Sequence, residues 1–237
     1  LTAYIFDELG FEWDIMGNGG ISDGTSDAYD GAHQIYVDDE AFPWFSYGVA
    51  DGREVTIGPA TLGSVDVTRQ VYVPQDASFA RFIDLYENTT DAAVTITINM
   101  KTNLGSNGST SVLATSSGDT VVDADDHWLV TDDSSDGFGG SDPVVVHVMS
   151  GVGGAIGVTT ATVGATSTDS VAYDYELTLE PFEQAIILQF AIQRFAPDDA
   201  IAAAEELSAL GGSALDGMTE NELALLVNFD PDAVPST

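Results

Sequence analysis

The residues best suited to chemistry in this chain are aspartates, and they gather in two segments rich in glycine and serine. The first segment, residues 22–31, holds Asp23, Asp27 and Asp30 at spacings of four and three. Calcium takes six to eight oxygen ligands in flexible geometry, so carboxylates in irregular loops suit it. The segment therefore predicts a Ca2+ site. The alternative is a solvated turn in which the same side chains cap backbone amides.

The second acidic segment lies between residues 123 and 142. Its aspartates are Asp123, Asp125, Asp126, Asp132, Asp133, Asp136 and Asp142. Carboxylates this close together repel one another unless a cation or high salt intervenes. Asp132, Asp133 and Asp136 are therefore predicted to hold a second Ca2+ ion, and a salt-screened surface loop is the alternative.

Three further residues are candidate ligand-binding groups. Arg69 interrupts a row of valines, where a guanidinium needs a carboxylate or carbonyl partner because an unpaired buried charge is very costly. A structural ion pair is the simpler interpretation, and a groove for an acidic sugar or a peptide C-terminus is the alternative. Trp44 and Trp128 suit either the face of a sugar ring or the protein core.

The composition excludes several function classes. There are 39 Asp and Glu against 5 Lys and Arg, for a formal charge of −34, and there is no Cys. Nucleic-acid binding and adhesion to anionic lipid both need clustered basic residues. Without Cys there is no disulfide, thiol nucleophile or iron–sulfur cluster. The three histidines lack metal-ligand spacing, no nucleophile or phosphate-binding motif is present, and no apolar run is long enough for membrane insertion. A non-enzymatic role is expected in preference to catalysis.

Alternating apolar and polar residues predict strands over most of the chain. The clearest runs are Val65–Val73, Ala92–Met100 and Ser170–Leu179, and turn signals separate many shorter ones. Period-two alternation is typical of half-buried antiparallel strands. We therefore predict a mostly β protein whose residues 1–195 form a large antiparallel β-sandwich, similar to a supersandwich.

The pattern changes after residue 195. Pro197 and two acidic residues open an Ala/Glu/Leu-rich helix that is expected to run to about Leu210. Thr219 and Glu222 form a capping box that begins a second helix, expected to reach about Asn228. Residues 196–229 are therefore predicted to be a short C-terminal helical hairpin packed on the sandwich, with a linker-like tail at 230–237.

Two stretches resemble known families. The run Phe11–Ile15 leading into Asp23–Gly31 resembles the opening of modules in large secreted bacterial surface proteins, the calcium-dependent RTX-adhesin-like β-proteins. The strand pairs from residues 67 to 106 are similar to those of carbohydrate-active supersandwich proteins. The first resemblance implies Ca2+ and adhesion, although no RTX nonapeptide is present. The second implies sugar binding or turnover, although no catalytic residue of those enzymes has a match.

Three functions follow as expectations. The first is a secreted or cell-surface, calcium-stabilised β-sandwich module for adhesion or filament structure, whose partners are a glycan, a surface protein or neighbouring modules. The second is a carbohydrate-active enzyme or sugar-binding domain. The third is a halophilic archaeal surface or filament protein whose aspartates hydrate the surface without specific Ca2+ sites.

The charge predicts that this protein is stabilised by salt. Its negative charges are about 17 Å apart on average over a surface of this size, which is within the Debye length of about 30 Å at 0.01 M salt but beyond the value of about 8 Å at 0.15 M. Raising NaCl between those concentrations is expected to raise the melting temperature, measured by circular dichroism, by several degrees. An unchanged melting temperature would contradict the repulsion argument. A further rise in molar NaCl with no preference for CaCl2 would favour the halophilic alternative.

Overall fold

A computed structural model describes residues 3–45, 49–50, 52–133, 142–164 and 167–233 of the chain. These residues form antiparallel β-sheets with a small helical part at the C-terminal end, which confirms the predicted mostly β sandwich. In the described part of the chain, no helix is long and apolar enough to cross a membrane.

The strands are numbered in chain order. They are β1 (Ala3–Phe6), β2 (Glu12–Ile15), β3 (Ile21–Gly24), β4 (Gln34–Val37), β5 (Glu40–Ala41), β6 (Val49–Ala50), β7 (Glu54–Leu62), β8 (Val65–Tyr72), β9 (Ala80–Asn88), β10 (Val94–Asn103), β11 (Thr110–Thr115), β12 (Trp128–Asp133), β13 (Val144–Val148), β14 (Thr160–Val163), β15 (Ser170–Leu179) and β16 (Gln184–Arg194). The helices are α1 (Pro197–Ser208) and α2 (Glu220–Ala224), followed by a single 3-10 turn at Pro231–Ala233.

Two sheets face each other across the main core. The larger has the order β11-β12-β13-β16-β9-β8-β7-β6, and the smaller has the order β14-β15-β10-β4-β5. Alternate residues of each strand enter this core, as in β8, where Val65, Val67 and Val71 are buried while Asp66 and Thr68 lie at the surface. The third sheet, β1-β2-β3, adds Trp13 and Ile15 to the same core.

Helix α1 covers the outer face of the large sheet at β12, β13 and β16. Alternate residues of β16 point outward and pack with small helix residues in a second core: Ile186, Leu188, Phe190, Ile192, Ala200, Ala203, Ala204 and Leu207. Because β16 is buried on both faces, its sequence reads as a nearly continuous apolar run.

The second helix is shorter than its sequence suggests. Thr219 and Glu222 form the predicted capping box, but α2 ends at Ala224. Beyond it the chain runs beside β16: Ile186 N donates to Leu225 O at 2.8 Å, and Val227 N donates to Ile186 O at 3.1 Å. These sheet-like hydrogen bonds replace the last turns of the predicted helix.

An ion pair lies wholly inside the main core. Arg69 on β8 and Asp84 on β9 are directly opposite each other, and both side chains are 0% exposed. Arg69 Nε and Nη2 donate to the two carboxylate oxygens at 2.7 and 2.8 Å, which is a bidentate contact. Nη1 also donates to the carbonyl oxygens of His33 at 2.5 Å and Gly19 at 3.4 Å. The guanidinium thus ties the N-terminal segment to the large sheet.

Gly19 is required at this contact. Its φ is +73°, and a Cβ at this position would lie 2.4 Å from Arg69 Cδ. Any other residue would be strained and would push the arginine away from its partners.

We predict that Asp84→Asn lowers the free energy of unfolding by about 3–5 kcal/mol, because it keeps the shape of the side chain but leaves the Arg69 charge uncompensated in the core. Urea denaturation measures the loss. The matched control is Asp66→Asn, which changes a partly exposed carboxylate on β8 and is expected to cost less than about 0.5 kcal/mol. A loss below 1 kcal/mol for Asp84→Asn would show that breaking the Arg69–Asp84 ion pair has little effect on stability.

Candidate functional site

The first acidic segment lies at the surface. Asp23, Asp27 and Asp30 are exposed, on β3 and in the loop that follows it. Partial burial, and then the neighbouring carboxylates of Asp30 and Asp27, raise the pKa of Asp23. The Asp23 carboxyl therefore experiences the negative charges of its two neighbours.

The two acidic segments meet in one place. A cavity of about 10 Å³ is lined by Asp27 from the first segment and by Asp132 and Asp133 from the second, together with Asp142. We call the cavity formed by these four residues, Ser106 and Thr131 the acidic pocket. Asp23 and Asp30 do not line it, and Asp136 lies outside the described residues.

The loop after β10 brings Asp27 to this pocket. Gly105 has a φ of +82°, and a Cβ there would lie 1.4 Å from the Asp27 carbonyl oxygen, so only glycine allows the approach. Asn107 Nδ2 donates to Asp27 Oδ2 at 2.5 Å, and Tyr29 N donates to Leu104 O at 3.2 Å. Two segments about 80 residues apart in sequence are thereby held together.

The floor of the acidic pocket comes from β12. Thr131 is 1% exposed, and its hydroxyl has no hydrogen-bond partner. Asp132 is 2% exposed, whereas Asp133 and Asp142 are partly buried. Within the described ranges, no three acidic or histidine side chains already lie close enough together to hold a metal ion. The space has room for about one water molecule, and the residues Ala28, Leu104, Pro143 and Val145 also line it.

A second feature lies on the solvent face of the small sheet. A shallow groove of about 360 Å³ is lined by Asp38, Asp39, Thr97, Asn99, Lys101 and Asp174. Lys101 is the single lysine of the chain, and its Nζ lies 4.0 Å from the centre of the Tyr36 ring. We call these residues together the outer groove.

Hydrogen bonds fix the walls of the outer groove. Asn99 Nδ2 donates to Asp174 Oδ1, and Thr160 Oγ1 donates to Asp174 Oδ2 at 2.8 Å. Thr97 N donates to Asp38 Oδ1 at 2.9 Å. The groove therefore combines an aromatic ring, an ammonium group and fixed carboxylates. The sequence analysis did not predict this groove. The signal that could have indicated it is Lys101, the single lysine of the chain, on the polar face of a strand with strict alternation.

The remaining candidate residues lie apart from both features. Arg69 is fully buried in its ion pair with Asp84. Trp128 is buried in the second core, next to α1. Trp44 is 63% exposed, before the described chain breaks at residue 45. The structure does not bring these three residues together.

The interior of the sandwich holds a stack of aromatic rings. The ring of His33 is parallel to Phe82 at 4.4 Å and to His147 at 5.0 Å, and no ring nitrogen of either histidine has a hydrogen-bond partner. Burial lowers the pKa of His147 to about 3. Burial, and then the nearby His147 and Arg69, hold the pKa of His33 well below its usual value. These imidazoles are neutral and sealed from solvent.

Beside this stack, Tyr29 joins two strands. Its hydroxyl oxygen lies 2.6 Å from Val146 O on β13 and 3.0 Å from Ile192 O on β16. Burial raises the pKa of this hydroxyl, so it stays protonated.

Comparison with known proteins identifies the fold. No family model matches the sequence, and no curated protein does. Among solved structures, the chain is similar to a polysaccharide lyase, with 12% identity, a TM-score of 0.54, and coverage of 82% of this chain and 34% of that one. It is also similar to a putative aldose 1-epimerase from Escherichia coli K12, with 8% identity, a TM-score of 0.53, and coverage of 81% and 98%.

A third similar structure is a TPR-domain containing protein from Parabacteroides distasonis, with 12% identity, a TM-score of 0.58, and coverage of 91% of this chain and 50% of that one. The chain thus spans about a third of the lyase, half of the TPR-domain protein and nearly all of the epimerase. At these identities the likeness shows a shared β-sandwich fold.

The buried histidines predict a specific pH dependence. The folded-state pKa values of His33 and His147 lie below the unfolded value of about 6.5. Below about pH 6.5 these histidines therefore bind protons in the unfolded chain but not in the folded chain, and the free energy of unfolding falls as the pH drops. Between pH 6 and 5, urea denaturation is expected to show that His147→Phe loses about 1 kcal/mol less stability than the wild type. If the free energy of unfolding fell equally with pH in the two proteins, neutral burial of His147 would be contradicted.

Proposed function

We propose that this domain binds neutral carbohydrate in the outer groove. The observation that carries the proposal is the open groove lined by Asn99, Lys101 and Asp174, with the Tyr36 ring next to it under Lys101. An aromatic ring offers a flat apolar surface to the C–H face of a sugar, and at Tyr36 a sugar would take the place that the Lys101 ammonium occupies over the ring. The ammonium and amide groups donate hydrogen bonds to sugar oxygens, and the carboxylates accept them from sugar hydroxyls.

The charge of the outer groove favours a neutral sugar. Lys101 is its one cation, against the carboxylates of Asp38, Asp39 and Asp174. A uronic acid or sulfated sugar would add negative charge to a site that is already negative, within a protein of formal charge −34. The shallow shape suits a chain of sugars lying along the sheet in preference to a single enclosed ring.

The fold gives independent support. Two of the similar structures are named for sugar chemistry, one as a polysaccharide lyase and one as a putative aldose 1-epimerase. Their likeness to this chain concerns the fold, so the carbohydrate ligand is an inference for this chain. It agrees with the resemblance of the strand pairs to carbohydrate-active supersandwich proteins.

Binding without turnover fits the placement of the chemically capable groups. His33, His147 and the buried tyrosines could transfer protons, but they lie inside the sandwich with no exposed surface. A binding domain of this charge suits an extracellular or cell-surface setting, which we include in the proposal. Attachment to glycans would give such a module an adhesive role.

The test is affinity electrophoresis of the purified protein through gels that contain neutral soluble polysaccharides, namely xylan, galactomannan and a β-glucan. Retardation in at least one gel is expected for the wild type. Tyr36→Ala is expected to weaken this retardation at least tenfold, because it removes the stacking surface, whereas Tyr36→Phe keeps most of it.

The matched control is Thr178→Val. Thr178 lies on the exposed face of β15, paired through its hydroxyl with Thr95 at 2.8 Å, and does not line the groove. It is expected to bind like the wild type. Equal retardation of Tyr36→Ala and wild type would show that the outer groove is not the binding site. No retardation in any gel would show that the protein does not bind these neutral polysaccharides.

A further inference from the structure

We propose that a cavity beside α1 binds a free amino acid with an apolar side chain. The cavity has a volume of about 450 Å³ and lies between the turn after β1, the loop before β9, the end of β16 and α1. We call it the helix cavity, and its lining includes Leu9, Phe79, Arg194, Glu206 and Leu207. The proposal is independent of carbohydrate binding in the outer groove.

The first argument is the guanidinium of Arg194. Its Nη1 group donates to Gln193 O at 2.7 Å, to Ser78 O at 2.8 Å and to Ser78 Oγ at 3.2 Å, and these bonds hold the guanidinium in place. Its Nε and Nη2 groups make no hydrogen bond within the described residues, and neither nitrogen is sealed from solvent. No carboxylate in this part of the chain forms an ion pair with Arg194. One edge of the guanidinium is therefore open to a ligand.

Arg69 shows what such an edge can bind. Its Nη1 group also donates to backbone carbonyls, and its Nε and Nη2 groups donate to the two carboxylate oxygens of Asp84 at 2.7 and 2.8 Å. Planar guanidinium and carboxylate groups match each other in this bidentate way. Arg194 uses Nη1 as Arg69 does but has no carboxylate at Nε and Nη2. The carboxylate of an amino acid would complete the contact.

The acidic residues near Arg194 do not fill this role. Burial lowers the pKa of Arg194, and the charges of Asp7, Asp199 and Glu206 raise it. The Asp7 carboxylate already accepts hydrogen bonds from Leu9 N, Phe11 N, Trp13 Nε1 and Ser78 Oγ. Asp199 and Glu206 are exposed and make no ion pair with the guanidinium.

The second argument is the carboxylate of Glu206, which lines the helix cavity from α1. It makes no hydrogen bond through its side chain within the described ranges. The loop after α1 passes close to it, since Gly212 has a φ of +57° and a Cβ there would lie 2.7 Å from Glu206 Oε1. A larger residue at this position would displace the carboxylate. Glu206 can therefore accept hydrogen bonds from the ammonium group of an amino acid.

The third argument is the mixture of charges around the cavity. Besides Arg194 and Glu206, the carboxylates of Glu8 and Asp76 line it. A purely anionic ligand would be repelled by three acids, and a purely cationic one would leave the open edge of Arg194 unused. A small zwitterion satisfies both signs.

The rest of the wall selects the side chain. Leu9, Phe79 and Leu207 offer apolar surface to the same cavity. A volume of about 450 Å³ lies in the range of roughly 300–1,000 Å³ that is usual for small-molecule sites. An amino acid with an apolar side chain fits this combination of size, charge and surface.

The experiment measures the melting temperature of the full chain with 10 mM of L-valine, L-leucine, L-isoleucine, L-methionine or L-phenylalanine. At least one of them is expected to raise it by about 2 °C or more, because a ligand of the folded state stabilises that state. Isothermal titration then compares this amino acid with its N-acetyl and its amide derivatives, which lack the ammonium and the carboxylate respectively. Each derivative is expected to bind at least about tenfold more weakly.

Arg194→Lys keeps the positive charge but loses the bidentate edge, so it is expected to weaken binding at least about tenfold. Its matched control is Arg53→Lys, because Arg53 uses its Nε and Nη2 groups for Val73 O and Pro74 O and does not line the helix cavity. This control is expected to bind the amino acid like the wild type.

Glu206→Gln is expected to weaken binding at least about tenfold while melting like the wild type, because Glu206 is exposed. The matched control is Glu205→Gln, which changes the neighbouring exposed carboxylate of α1 outside the cavity and is expected to bind normally. This pair keeps the test decisive if Arg194→Lys fails to fold.

Three results would overturn the proposal. The first is that none of the five amino acids raises the melting temperature. The second is that the blocked derivatives bind as tightly as the free amino acid. The third is that Glu206→Gln and a folded Arg194→Lys bind like the wild type. Neither variant is expected to change retardation in the polysaccharide gels, so this proposal and carbohydrate binding fail separately.

Discussion

The structure depends on one buried interaction, the pairing of Arg69 with Asp84 on two neighbouring strands of the large sheet. Removing both charges from water costs several kcal/mol for each, and this cost is offset only when geometry and hydrogen bonding are close to ideal. Here the carboxylate is bidentate and the remaining guanidinium N–H group reaches the carbonyls of Gly19 and His33. The pair therefore fixes the register of β8 against β9 and also the path of the N-terminal segment.

Further features follow from that path. With its backbone held by Arg69, His33 places its ring between Phe82 and His147. The segment just before it carries Tyr29, which bonds to the backbone of β13 and β16, and Asp27, which reaches the acidic pocket. The charged pair holds this segment at Gly19 and His33, and the loop after β10 holds it at Asp27.

Much of the fold could be predicted from the sequence because local pattern determines it. Strict alternation predicted β8, β10 and β15 within about three residues, and Pro197 predicted the start of α1. The extent of α2 could not be predicted, since the residues after it bond to β16, and the capping box carries no information about that distant strand. Tertiary hydrogen bonds to β16 here override the local helix propensity of the residues after α2.

The sites were less accessible to sequence reasoning. The two acidic segments could be recognised by composition, but their meeting depends on the close approach of Gly105 to Asp27, which no spacing rule describes. The outer groove is assembled from β4, β10 and β15, which are neighbours in the sheet but are separated from one another in the chain by several other strands. Arg69 was more predictable than either site, because a charge within a row of valines requires a partner. The sequence could not indicate which of the 39 acidic residues that partner is.

The Tyr29 hydroxyl has a consequence for how the chain is made. Its partners Val146 and Ile192 lie 117 and 163 residues downstream. At a synthesis rate of about 5–20 residues per second, the N-terminal segment emerges roughly 10–30 s before the second partner exists. During that interval Trp13, Ile15 and Tyr29 have no finished sheet to cover them. The formal charge of −34 makes copies of the chain repel one another, and this repulsion opposes their association while the apolar residues are uncovered.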